Sequence, residues 1–170
     1  MKEVLFIIAP SNFRDEEYFI PREVLMNGGV KVTTVSTQRD TRSANGEGVK
    51  ASVILSNIED ISQYSGIMFV GGNGSEIYFN DTKAKNLAKR FYENNKVVAA
   101  ICIASSILAN AGILEGKKAT SFPSEESNLM DKGSEYTGSA VEVDGNIVTA
   151  NGPGAAKEFG ERILGRLKEI

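Results

Sequence analysis

The stretch that most constrains this chain is Asn95–Ala109, N-K-V-V-A-A-I-C-I-A-S-S-I-L-A. It opens on Val97–Ile101, a short apolar run rich in β-branched residues, which reads as a buried strand. It continues through Cys102 into Ile103–Ala111, where Ile107, Leu108 and Ala111 share one helical face. No Gly, Pro or Asn separates the two elements. A strand that becomes a helix without a loop turns within one or two residues, and the residue at the turn projects outward on a strained backbone. That is the pattern of a nucleophile elbow, usually G-x-S-x-G, with Ala100 and Ala104 in the small flanking positions around Cys102. The helix start aims free N–H groups and a positive dipole end at the sulfur, which is expected to lower its pKa. Taken alone the pattern is loose, and an ordinary buried thiol fits it equally well.

Composition narrows the chemistry. At 170 residues the chain reads as one domain, residues 1–170, with room for a substantial core. A net charge of −3 argues against a general binder of nucleic acid or anionic membrane. No apolar run approaches the roughly 20 residues of a membrane span, and the Met1–Ala9 segment lacks the pattern of a signal peptide. A single cysteine allows no intrachain disulfide and no cysteine cluster for a metal, so a reducing cytoplasm is expected. The chain has no histidine. The usual base for a cysteine nucleophile and the commonest metal ligand is thus absent, and a second copy of the chain could not supply one.

Along the chain, strands and helices alternate. Val4–Ala9 is a continuous apolar run, as in a strand buried on both faces, followed by a loop at Pro10–Asn12. Asp15 is placed to cap a helix running to about Asn27, closed by Gly28-Gly29 and kinked at Pro21. Val30–Ser36 reads as a strand, and the polar residues 37–50 as a turn or hairpin leading into Ala51–Leu55. Ile67–Val70 is a further buried strand, ending in Gly71-Gly72-Asn73-Gly74. Asn80-Asp81 opens a helix through Asn94 with Ala84, Leu87, Ala88 and Phe91 on one face. Lys117–Ser121, Val141–Val143 and Ile147–Ala150 read as strands, and Asn151–Gly154 turns into a last helix with Phe159, Ile163 and Leu167 inward. The alternation implies an α/β fold, a mostly parallel sheet with helices on both faces. Sites in such sheets lie beyond the carboxyl ends of the strands, which gathers Pro10–Glu17, Gly71–Gly74, Cys102–Ser105 and Asn151–Gly154 along one edge.

Within that edge, Gly72 and Ile103 could present backbone N–H groups as an oxyanion hole beside Cys102, although a glycine pair also serves a tight turn. G-G-N-G has neither dinucleotide nor phosphate-loop spacing, so no cofactor is expected. Of Asp15-Glu16-Glu17, the first two suit a solvated first helical turn. Glu17, beside apolar Phe19 and Ile20, could lean inward, where desolvation would raise its pKa and let it donate to a thiolate or its oxides. The Gly152-Pro153-Gly154 turn has the ordinary form of a helix start.

Together these segments resemble the ThiJ/PfpI (DJ-one) superfamily over essentially the whole chain. The resemblance rests on E-E-Y-F-I-P-R-E-V-L after the first strand, V-G-G-N, A-A-I-C-I-A, A-G-I-L-E-G-K-K-A-T, and Y-T-G-S-A-V-E-V-D-G-N-I-V-T-A-N-G-P-G, with the tail most similar to the DJ-one-like branch. It implies a flavodoxin-like, class I glutamine-amidotransferase-like sandwich and a homodimer. It also implies that Cys102 is the elbow cysteine, that Glu17 contacts it, and that Gly72 and Ile103 are the oxyanion-hole donors. The chain departs from the family at two places. PfpI-type proteases have histidine after the cysteine, where this chain has Ile103, and the DJ-one branch usually has histidine where S-F-P places Phe122.

Two functions emerge as expectations. In the first, a redox-responsive, stress-linked protein, peroxide oxidises Cys102 to a sulfinate held by protonated Glu17 and backbone N–H groups. The alternative is a small-molecule enzyme of glyoxalase, deglycase or hydratase type, with Cys102 attacking a reactive carbonyl and Glu17 as sole proton shuttle. Peptide hydrolysis ranks last, because an amine leaving group needs a proton that no histidine supplies.

Overall fold

The computed structural model describes all 170 residues. Its strands are β1 Glu3–Ile7, β2 Ser11–Phe13, β3 Lys31–Ser36, β4 Asp40–Ser43, β5 Gly48–Lys50, β6 Val53–Ile54, β7 Gly66–Phe69, β8 Val97–Ile101, β9 Lys118–Ala119, β10 Glu135–Tyr136, β11 Val141–Asp144 and β12 Ile147–Ala150. The helices are α1 Asp15–Asn27, α2 Thr82–Glu93, α3 Ser105–Asn110, α4 Glu126–Asp131 and α5 Ala156–Glu169. Seven strands form the central sheet in the order β11-β12-β8-β7-β1-β3-β6, parallel except for the β11–β12 pair. Alternate residues of each strand enter opposite sides: Leu5 and Ile7 join one apolar cluster, Val4, Phe6 and Ile8 the other. Both sides are buried, which is why β1 reads as unbroken apolar sequence. This is the expected flavodoxin-like α/β architecture.

Connectivity reverses at β1. The chain runs from β1 through α1 outward to β3, then returns to lay β7 on the other side of β1. Such a switch point leaves a crevice beyond the carboxyl ends of the two central strands. Register then aligns the residues just past those strands. Ile7 pairs with Phe69 and Phe69 with Ala100, so Gly71 and Cys102 each lie two residues past one paired rung.

Two local expectations are corrected. Pro10–Asn12 is not simply a loop: Ser11–Phe13 pairs with β4 and, through it, with β5 in a small second sheet. Asp15 does not cap α1, whose N-cap is Arg14 with no side-chain bond, nor is Asp15 solvated. Its carboxylate accepts from Ser43 Oγ at 2.6 Å and from the Asn45 N–H at 3.1 Å, tying the helix start to the β4–β5 hairpin. A buried carboxylate needs such donors, and the hairpin supplies them. Asp81 does cap α2, accepting from the Ala84 N–H at 2.8 Å. α1 continues through Pro21, which has no N–H to offer the carbonyl of Glu17 four residues back.

Candidate active site

At the junction of β8 with the following 3-10 turn, Cys102 has a φ of 64°. A side chain beyond glycine, Asn or Asp is rarely held there, and the strain arises because strand becomes helix with no residue between. Cys102 is 9% exposed, so it is neither sealed in the core nor open on the surface. The Phe122 N–H donates to the Cys102 carbonyl at 3.2 Å and helps fix the turn.

Gly71 explains why this edge needs glycine. A Cβ at position 71 would fall 2.3 Å from Glu17 Oε1, 2.7 Å from Cys102 Cβ and 2.7 Å from the Ile101 carbonyl. Glu17 and Cys102 therefore meet over the missing side chain. At Gly72, φ is 97° and a Cβ would fall 2.5 Å from the Arg14 nitrogen, so β2 and the start of α1 press directly on that backbone. The Arg14 N–H donates to the Gly71 carbonyl at 3.0 Å, closing the contact. The glycine pair thus permits a close approach as well as a turn.

Glu17 leans inward completely, with no exposed surface. Neither carboxyl oxygen has a partner at full hydrogen-bond geometry. Burial pushes its pKa up to about 7, while Cys102, Arg14 and the Gly71 N–H pull the other way without overcoming it. The expectation for the thiol is reversed: burial first, then the Glu17 charge, push Cys102 up to about 12. The N–H groups of Ile103 and Gly72 both favour the thiolate, but a buried anion beside a second anion costs more than two donors return.

Above the pair opens a pocket of about 490 Å³ that takes in Glu17, Gly72, Cys102 and Ile103. Its walls include three side chains to which the sequence alone assigns no role: Asn12, Arg14 and Ser124. The available signal is position, since Asn12 and Arg14 come after the first strand and Ser124 comes after the S-F-P turn. Asn12 has a φ of 59°, the left-handed conformation that asparagine tolerates. Phe122, 44% exposed, lines the pocket, an apolar side chain where the family resemblance implies histidine. No group of three or more Asp, Glu, Cys or His could hold a metal ion, and no helix is long and apolar enough to cross a membrane.

A doubly covered parallel sheet with a cysteine elbow at the carboxyl edge of its strands and a buried glutamate against the sulfur defines a known class. The chain belongs to the DJ-1/PfpI family, whose model matches residues 2–166. It is 44% identical over 168 residues to an uncharacterized protein of Methanocaldococcus jannaschii, covering 95% of this chain and 80% of that one. A deglycase of Pyrococcus horikoshii is 31% identical over 152 residues, covering 89% and 90%. Among solved structures, the ThiJ/PfpI domain protein of Brachyspira murdochii superposes with a TM-score of 0.95 at 32% identity, covering 99% and 97%.

Proposed function

We propose that Cys102 and Glu17 work as one nucleophile–acid pair on small reactive carbonyls. The observation that carries this is the Glu17 carboxyl, fully buried and without a partner, packed over Gly71 against Cys102 at a pocket far larger than a peroxide requires. Cys102, pushed up to about 12, is a thiol across the neutral range, and Glu17, at about 7, is the group whose charge changes there. The ionised Glu17 is the base for the S–H proton, and the N–H groups of Ile103 and Gly72 favour the negative charge that develops on sulfur as it attacks.

With a 2-oxoaldehyde, the sulfur adds to the aldehyde carbon as Glu17 takes the S–H proton and passes it to the aldehyde oxygen. Glu17, a carboxylate again, takes the C–H proton from that carbon and gives it to the neighbouring carbon, while the hydroxyl proton moves from the first oxygen to the second. The aldehyde carbon is oxidised and the ketone carbon reduced within one molecule. Water then hydrolyses the thioester, releasing a 2-hydroxy acid and the thiol. No histidine is required. The test is methylglyoxal turnover to lactate followed by NMR: Cys102→Ser and Glu17→Leu are expected to abolish it, and turnover retained by Cys102→Ser would overturn the reading.

The redox reading is kept as second because the same donors suit a sulfinate. Two oxygens taken from two peroxide molecules, each leaving as water, would be held by Gly72, Ile103 and the Glu17 proton. Mass spectrometry across a peroxide series is expected to show a two-oxygen adduct in wild type and Glu17→Gln, lost in Glu17→Leu. Catalytic turnover absent while that adduct forms would make the redox reading the better one. The homodimer implied by the family resemblance belongs to the same proposal, with sedimentation equilibrium as its check.

A further inference from the structure

The pocket carries one cation, Arg14, and the structure shows how it is presented. Glu16 Oε2 accepts from Arg14 Nε at 2.8 Å, which leaves both terminal Nη groups without an acceptor in the protein. Those two groups form the end of the guanidinium fork that binds a carboxylate in bidentate fashion. Arg14 lines the same pocket as Cys102 and Glu17, together with Asn12, Asn73 and Ser124, while Ile103, Phe122 and Pro153 supply apolar wall. The backbone of Arg14 is fixed independently by its bond to Gly71.

We infer that this pocket selects 2-oxoaldehydes bearing a carboxylate tail, with Arg14 binding the tail while the aldehyde carbon meets Cys102. The inference rests on the carbonyl reading above and adds the substrate class. A single guanidinium already sharing one edge with Glu16 matches one negative charge better than a phosphate dianion. A short apolar spacer between the dicarbonyl and the carboxylate would run along Phe122 and Ile103. 4,5-Dioxopentanoate has this form. Its aldehyde carbon would be oxidised and its adjacent ketone carbon reduced, with one water consumed, to give 2-hydroxyglutarate.

Two measurements test it, one of them independent of turnover. In the first, kcat/KM for 4,5-dioxopentanoate is compared with that for methylglyoxal. Wild type is expected to favour the acid by about tenfold or more, the scale of one charge-assisted bond, and Arg14→Gln to lose that ratio chiefly through KM. Arg14→Lys, which keeps charge without the fork, is expected to recover only part of it. In the second, 4-oxopentanoate, which lacks the aldehyde, is titrated by NMR into Cys102→Ala and into Cys102→Ala/Arg14→Gln. Saturation in the millimolar range by the first and not the second supports the inference, even if neither aldehyde is turned over and the catalytic reading fails. Turnover of methylglyoxal with no preference for the acid overturns the inference and leaves that reading standing. Absence of both turnover and 4-oxopentanoate binding overturns both, and tighter binding of inorganic phosphate than of 4-oxopentanoate overturns the choice of a carboxylate.

Discussion

Ionising a carboxyl that has no exposed surface and no well-placed donor is costly, so Glu17 enters the native state with its proton. Its native pKa of about 7 lies above the ordinary value of 4.5 that it regains on unfolding. Between the two, the native state binds more protons than the unfolded chain, and stability falls as pH rises. The contribution is complete below pH 4.5 and is lost as pH passes through about 7. A shift of this size corresponds to about 3 kcal/mol. The absence of histidine removes the side chains that ordinarily titrate in that window. Glu17→Gln keeps the shape and cannot ionise. Denaturant unfolding from about pH 5 to about pH 8 should therefore show the variant gaining on wild type by up to about 3 kcal/mol. Parallel pH profiles would mean that Glu17 is already ionised in the fold. The inward lean of Glu17 is legible from its apolar neighbours, but the balance at Cys102 is not. A helix start is visible in sequence, whereas the desolvation that opposes it depends on α1 and β7 closing over the sulfur.

The element that governs the site is the β7 exit, more than the cysteine turn itself. Gly71 and Gly72 let α1 and β8 approach until Glu17 and Cys102 meet. Gly71→Ala would put a methyl against the Ile101 carbonyl as well as Glu17, and only the second can move aside. We expect a loss of about 1–3 kcal/mol in denaturant unfolding, together with disappearance of the Glu17-linked pH slope as its carboxyl is displaced toward water. Gly154→Ala, with open space around the added methyl, is the control and should leave both unchanged. An intact slope in Gly71→Ala would show that the contact over Gly71 does not hold Glu17. At this scale the periodic elements are readable: β1, β7, β8, α2 and α5 each present an apolar run or a clear inward face. β2 and α4 are not. Each is short, and each exists because of partners distant in sequence: β2 pairs with β4, and α4 is tied to α3 through Asn128, Ser106 and Asn110. The role of Asp15 escapes the sequence for the same reason, since Ser43 lies on a hairpin that no local pattern connects to it.

Across the whole molecule, the sheet divides the interior into clusters of 25 and 22 buried residues, so neither side can be removed without unfolding the other. The site is not shared equally between them. Ala100 and Ala104 face the first cluster, but Cys102 and Ile103 belong to the second, beneath α1 and α5. Phe91 in the first and Phe159 in the second are both fully buried. Replacing either by Ala should cost about 3–5 kcal/mol and leave a single cooperative unfolding transition, because both layers depend on one sheet. Their effects on the site should differ. A cavity at Phe159 loosens the layer in which α5 packs against α1, the helix that holds Glu17 over the sulfur. A cavity at Phe91 lies across the sheet, under α2. Alkylation of Cys102 by iodoacetamide under native conditions should therefore accelerate more in Phe159→Ala than in Phe91→Ala, even after both are brought to equal global stability with denaturant. Equal acceleration at matched stability would mean that the sulfur is reached through global unfolding alone, and that the α1–α5 layer does not set its access.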